Sequence, residues 1–194
     1  MLVKELSDSV GWRRTTAVLS SLRGRRVHWR QGDGWLANCL WECDVPHLYR
    51  LRGRCSASRF WSVLRVALGH CGIRCGLLFH HNLAGWRRTG AHGAGRFLAI
   101  GSNDGLVGWM EAHAYWGGEW GLPGRKCDEY YAVDSERGVV LNFNHEGMFV
   151  CFTRDLALLG KMSKVFRRHR LAASVYGGRR DSDEIKEGGD NGTL

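Results

Sequence analysis

Apolar and polar positions change their period several times along this chain, and each change predicts an element. Over residues 8–22, Val10, Val18, Leu19 and Leu22 fall on one helical stripe behind Ser7 or Asp8 as the cap, which predicts a first helix. Shorter apolar runs at 27–30 and 35–41 predict two strands. Their joint, Gln31-Gly32-Asp33-Gly34, has the chemistry of a hairpin turn. His47 to Leu51 alternates and predicts a third strand. The clearest helix covers 58–69. Ser58 caps it, Phe60, Val63, Leu64, Ala67 and Leu68 share a face, and Gly69 or Gly72 stops it.

The pattern then turns to β. Residues 73–81 predict a strand, 85–95 a loop rich in Gly and Arg, 96–101 a short buried strand, 105–116 a further strand and 117–126 a long loop. Three strands follow at hairpin spacing, 130–133, 139–143 and 148–152, with 134–138 and 144–147 as turns. Thr153 caps a last helix that runs to about Arg168 with Leu156, Leu159 and Met162 inward. Helices towards both ends of a strand-rich middle predict an α+β fold, a mostly antiparallel sheet flanked by helices. No repeat or linker divides the chain, so 1–176 reads as a single domain. Residues 177–194, rich in Gly and acid, read as a disordered tail.

Composition narrows the class. The 194 residues are 44% apolar and 24% charged, enough for a core that needs neither metal nor disulfide. The start, Met1 to Asp8, does not read as a signal peptide, and the longest apolar run, Met148 to Phe152, is too short to span a bilayer. The seven cysteines are an odd number and read as reduced thiols, many packed as small apolar groups. These features predict an intracellular protein, of cytoplasm or nucleus, with no membrane partner.

Charge is uneven. Residues 1–100 carry 16 Lys and Arg against 5 Asp and Glu, residues 101–180 carry 11 against 9, and the last 14 carry 1 against 5. The basic segments are Arg23, Arg25 and Arg26; Arg50, Arg52 and Arg54; and Arg87 and Arg88. Trp12, Trp35, Trp41, Trp61 and Trp86 interleave with them. These Arg, with Trp35 and Trp86, form the expected partner-binding face. Arg and Trp suit the hot spots of a protein interface. They also suit a phosphate backbone with stacked bases.

Catalytic and metal chemistry has less behind it. Cys39-x3-Cys43 and Cys71-x3-Cys75, with His70, His80 and His81 near, hold enough ligand types for zinc but lack the tight two-residue knuckle. No cysteine sits in a nucleophile motif. His145-Glu146 reads as a polar turn pair, and Asp104 and Asp134 as turn formers. Gly101-Ser102-Asn103-Asp104-Gly105 lacks the Lys-Ser/Thr of a phosphate loop and reads as a strand-to-strand turn. The expectation is no enzyme, no metal and no cofactor.

Several segments resemble the SUKH superfamily. FLAIGSNDG, Phe97 to Gly105, is similar to its "fLpIGsdgGG" strand and turn. YYAVDSERGVVLNFNHEG, Tyr130 to Gly147, resembles the strand pair that follows, and Leu156 to Met162 resembles its closing helix. The resemblance covers roughly 97–165. The superfamily contains bacterial toxin-immunity proteins, fungal scaffolds and a betaherpesvirus branch of tegument and immune-evasion proteins. Ile100-Gly101, Gly105 and Tyr131 to Asp134 can be laid on that branch's "IG..G.iY.yD" pattern, and Pro46 to Gly53 resembles an upstream segment. An immunity protein facing a basic nuclease is expected to be acidic, so the basic first half favours the viral branch. The resemblance implies a non-enzymatic viral host-interaction protein that binds a host or viral protein, with weak non-specific nucleic-acid binding as a by-product of charge. A nucleic-acid binder using the Arg/Trp-rich face is the alternative, and a bacterial immunity protein the next.

Overall fold

The computed structural model describes residues 3–24, 36–41, 44–51, 55–80, 97–113, 130–143 and 148–177. One eight-stranded sheet runs through them. Its strands are β1 (Val3–Leu6), β2 (His47–Leu51), β3 (Leu77–His80), β4 (Phe97–Ile100), β5 (Tyr130–Asp134), β6 (Val139–Phe143), β7 (Met148–Phe152) and β8 (Ser174–Tyr176). Their order across the sheet is β1-β4-β3-β5-β6-β7-β2-β8, with each neighbouring pair antiparallel. The helices are α1 (Asp8–Arg23), α2 (Leu36–Trp41), α3 (Ala57–Cys71), α4 (Asn103–His113) and α5 (Leu156–Arg168). The fold is the expected α+β class, an antiparallel sheet flanked by helices.

Both faces of the sheet are covered. Val18, Leu19 and Leu22 of α1 and Leu36 and Leu40 of α2 pack with Phe79, Phe97, Tyr131, Val133, Val140 and Val150. On the other face Phe60, Leu64 and Leu68 of α3, Leu106 and Met110 of α4, and Leu159, Met162 and Phe166 of α5 pack with Leu78, Ala132, Leu141, Phe149 and Cys151. Successive side chains of a strand point to opposite faces. A sheet covered twice therefore needs apolar residues at both parities, and β5, β6 and β7 are buried nearly from end to end.

Local chemistry sets the boundaries. The hydroxyl of Ser56 accepts from the Arg59 N–H at the start of α3, two residues before the expected Ser58 cap, and Gly72 closes the helix in the left-handed region at φ 64°. Asp155, rather than Thr153, caps α5 by accepting from Leu158 N–H at 2.9 Å. Thr153 accepts from Asp155 N–H instead. Asp134 is a turn former as expected. Its buried carboxylate accepts from the N–H groups of Glu136 and Arg137 at 3.0 and 3.1 Å and of Arg74 at 2.7 Å. It thus ties the β5–β6 turn to the lead-in of β3.

Several expectations are corrected. Residues 36–41 form the helix α2, not a strand, because Leu36 and Leu40 lie one turn apart and both enter the core. Residues 103–113 form α4, not a strand. Leu106, Val107, Trp109 and Met110 fill a helical face, and Ser102 starts the helix by accepting from Gly105 N–H at 3.0 Å. The segment 101–105 therefore joins strand to helix. Asp104, read as a turn former, sits in that helix's first turn and pairs with Arg65 at 2.9 Å. Leu156, read as inward, is 49% exposed. The chain's first and last described elements are strands, β1 and β8, which alternation over so few residues does not reveal. The strand at 27–30, the joint 31–34, the loops 85–95 and 117–126, the turn 144–147 with His145 and Glu146, and the tail from 178 lie outside the described residues.

Candidate interaction face

The predicted face is only partly within view. Arg25, Arg26, Trp35, Arg52, Arg54, Trp86, Arg87 and Arg88 lie outside the described residues. Arg23 is half-buried in the last turn of α1. Arg50 is the correction. It is only 3% exposed, on the α3/α5 side of β2, with its guanidinium 5.3 Å from the centre of the Phe60 ring. Its cross-strand neighbour is Phe149, which itself packs on Phe60. Burial pulls its pKa below the usual arginine value, and the adjacent Cys55 opposes that shift. Alternation along β2 explains this placement, since Leu48 and Arg50 share the inner face. Arg50 is a core residue, not part of an outer surface.

The tryptophans among the described residues are also turned inward. Trp61 is buried, and Trp12 packs edge-on against Phe97 at 4.7 Å. Trp41 is half-buried against Phe152 at 5.9 Å.

A different basic surface is in view. Residues 156–170 carry five Lys and Arg and no acid. In α5, Leu158, Leu159, Met162, Ser163, Val165 and Phe166 are buried. The helical period then puts Lys161, Lys164 and Arg168 on one exposed stripe, spread over roughly 10 Å of axis, with Arg167 on its flank. Arg167 and Arg168 also sit in the last turn, at the negative end of the helix dipole, where positive charge is favoured. Arg170 follows in the left-handed region at φ 57°. Helix α3 runs antiparallel beside α5. At one end the Arg59 guanidinium donates to the His169 carbonyl at 2.9 Å, and at the other the Cys71 thiol meets the Leu158 carbonyl at 4.0 Å. Arg59 thereby joins the cluster.

Apolar side chains accompany the charge. Among the described residues, the exposed large hydrophobics are Val66 on α3 at 48%, Leu156 on α5 at 49%, and Val175 and Tyr176 on β8 at 42% and 51%. All four lie on α3, α5 or the strand that packs beside α5. The stripe was legible as Lys161, Lys164, Arg167, Arg168 and Arg170 within ten residues, but averaging charge over 101–180 hid it.

The buried thiols among the described residues point away from reactivity. Cys71, Cys75 and Cys151 are buried and free. Burial pushes all three pKa values up, and the Asp134 charge adds to the rise at Cys75. A thiol kept protonated is a poor nucleophile. Cys43 and Cys127 lie outside the described residues, and within them no group of three or more His, Cys, Asp or Glu could hold a metal. No helix among the described residues is long and apolar enough to cross a membrane. In comparisons with known proteins, no family model, no curated protein and no solved structure matches this chain.

Proposed function

We propose that this chain is a non-catalytic binding protein that grips a host or viral protein through the outer face of α3 and α5. This is the tegument or immune-evasion role that the SUKH resemblance implies. The observation that carries the reading is the exposed Lys161–Lys164–Arg168 stripe on a helix that also exposes Leu156 and packs beside α3, which exposes Val66. Apolar anchors rimmed by charge are the anatomy of a protein interface. The opposite side of α5 is fixed in the core, so the stripe stands on a rigid base. The partner this face suits presents carboxylates around an apolar patch.

A second reading has one observation in its favour. Five cations without an acid over 156–170 also suit the phosphate backbone of a nucleic acid. The deciding experiment is affinity capture from cell lysate with and without nuclease, comparing wild type with the triple variant Lys161→Glu, Lys164→Glu, Arg168→Glu. The expected result is a protein partner that survives nuclease and moderate salt. The triple variant should lose it at least tenfold, and Leu156→Ala should weaken it. Capture that vanishes with nuclease, together with duplex binding that persists at physiological salt, would replace this reading with the second. Capture indifferent to the charge reversal would remove the face altogether.

A further inference from the structure

The two edges of the sheet are protected unequally. An edge strand exposes unpaired N–H and C=O groups, and proteins commonly guard it with charge. At one edge, β1 carries exposed Lys4 and Glu5. At the other, β8 is Ser174-Val175-Tyr176, with no charge and no proline. Its inner side pairs with β2 through Tyr49↔Ser174, Leu48↔Val175 and His47↔Tyr176. Among the described residues nothing pairs with its outer side.

The strand's two faces are distinct. Leu48 belongs to the α3/α5 core, so Val175 opposite it lies on the α5 side. Tyr176 lies on the other side, stacked on His47 with centroids 5.5 Å apart and rings inclined by 22°. The strand stops at Gly177, whose φ is +81° and where an added Cβ would lie 2.6 Å from Pro46 Cα. The cations Arg167, Arg168 and Arg170 come just before β8 in the chain, and β8 packs beside α5.

We propose that the outer edge of β8 takes an extended segment of a protein partner as a ninth strand, with apolar side chains against Val175 and Tyr176 and carboxylates against Arg167, Arg168 and Arg170. This rests on the protein-binding reading above and names how such a partner docks. Main-chain hydrogen bonds supply affinity in strand addition, and alternate side chains supply the choice of sequence. The positive charge beside the edge selects an acidic segment.

The test uses the full chain and a fluorescein-labelled decapeptide of alternating glutamate and valine, read by anisotropy. A second peptide of equal charge has proline in place of two central valines, which cannot complete a ladder. The alternating peptide is expected to bind at least tenfold more tightly than the proline peptide, and to slow amide exchange at 174–176. The variant Val175→Ser, Tyr176→Ser should weaken it at least tenfold. If that variant fails to fold, Val175→Ser alone serves, Val175 being 42% exposed. Equal binding of the two peptides would reduce the effect to charge attraction and overturn the proposal. So would wild type that sediments as a dimer while the serine variant is monomeric, because the occupant would then be a second copy. Partner capture lost in the α5 charge reversal but untouched by the serine variant would overturn strand addition and leave the protein-binding reading standing.

Discussion

Helices α1 and α5 lie on opposite faces of one sheet and both carry exposed cations, yet they present different surfaces. Helix α1 exposes Arg13 and Arg14 among Ser9, Ala17 and Ser21, with no exposed large apolar side chain among its described residues. Helix α5 exposes Lys161, Lys164, Arg167 and Arg168 as well as Leu156, and the elements packed beside it, α3 and β8, expose Val66, Val175 and Tyr176. The excess of positive charge in residues 1–100 pointed to the first half, but Arg50 of that half lies in the core. Net charge counts cations and is silent on whether they frame an apolar patch. The patch is what distinguishes an interface from a solvated surface.

The sharpest break between inner and outer cations is a pair of truncations. Arg50→Ala should cost about 3 kcal/mol, because it empties buried space beside Phe60 and Phe149 and removes a ring contact. Lys164→Ala, on the exposed stripe, should stay within about 0.5 kcal/mol. Urea midpoints measure both. Equal small effects would return Arg50 to the surface set. The same contrast means that a binding loss in an Arg50 variant reports folding before it reports contact.

The two helices also differ in how closely they approach their surroundings. At Gly11 of α1 an added Cβ would lie 2.0 Å from the Phe97 ring, whereas at Gly160 of α5 nothing lies within 4 Å. Gly11→Ala should therefore lose about 2 kcal/mol through overpacking. Gly160→Ala should gain up to about 1 kcal/mol from helix propensity. Thermal melts of the two variants should shift in opposite directions. A Gly11→Ala variant that melts no lower than wild type would mean that α1 can lift from the sheet at little cost.

What could be read from sequence follows the strength of local rules. Helix α3 was legible because a five-residue apolar face and a stopping glycine agree, although its cap is Ser56 rather than Ser58. Strands β5 to β7 were legible as short apolar runs between turns, with Asp134 and Gly138 marking one hairpin. Helix α4 was not, because two glycines and a β-branched residue in its first half dilute helix propensity, and only packing against α3 and Tyr130 decides the matter. Helix α2 failed for a related reason, since six residues hold too little of either period. The outer face depended on knowing which side of α5 was buried. The spacing of Leu159 and Met162 gave part of that side, but the misplaced cap sent Leu156 inward with them.

Two buried polar side chains in adjacent strands give a smaller prediction. Asp134 is fully engaged by backbone N–H groups, whereas the amide oxygen and nitrogen of fully buried Asn142 have no hydrogen-bond partner among the described residues. Asn142 stands opposite Tyr131 and Val150, both in the α1/α2 core. A buried unsatisfied amide costs about 1–3 kcal/mol, so Asn142→Leu should stabilise by about 1 kcal/mol. Loss of stability in that variant would mean that the amide is held by a partner the native protein carries.

The smallest effect separates the two faces by pH. Cys71, Cys75 and Cys151 all belong to the core under α3 and α5, and none to the core under α1. Burial raises each thiol's pKa, so the folded chain keeps these protons after the unfolded chain has begun to lose them, near pH ~8.5. Where the unfolded state binds fewer protons, stability falls as pH rises. The contribution is complete below the unfolded thiol pKa and is lost as pH climbs towards the folded one. Denaturant midpoints should accordingly decline above about pH 9. The informative quantity is the difference from a variant. Cys151→Ala should be less stable at neutral pH, where it loses packing, but should fall less steeply in alkali. Curves that stay parallel from neutral pH upward would show that the Cys151 thiolate is tolerated in the folded state, and the core under α3 and α5 would then have to admit water where it now buries that sulfur.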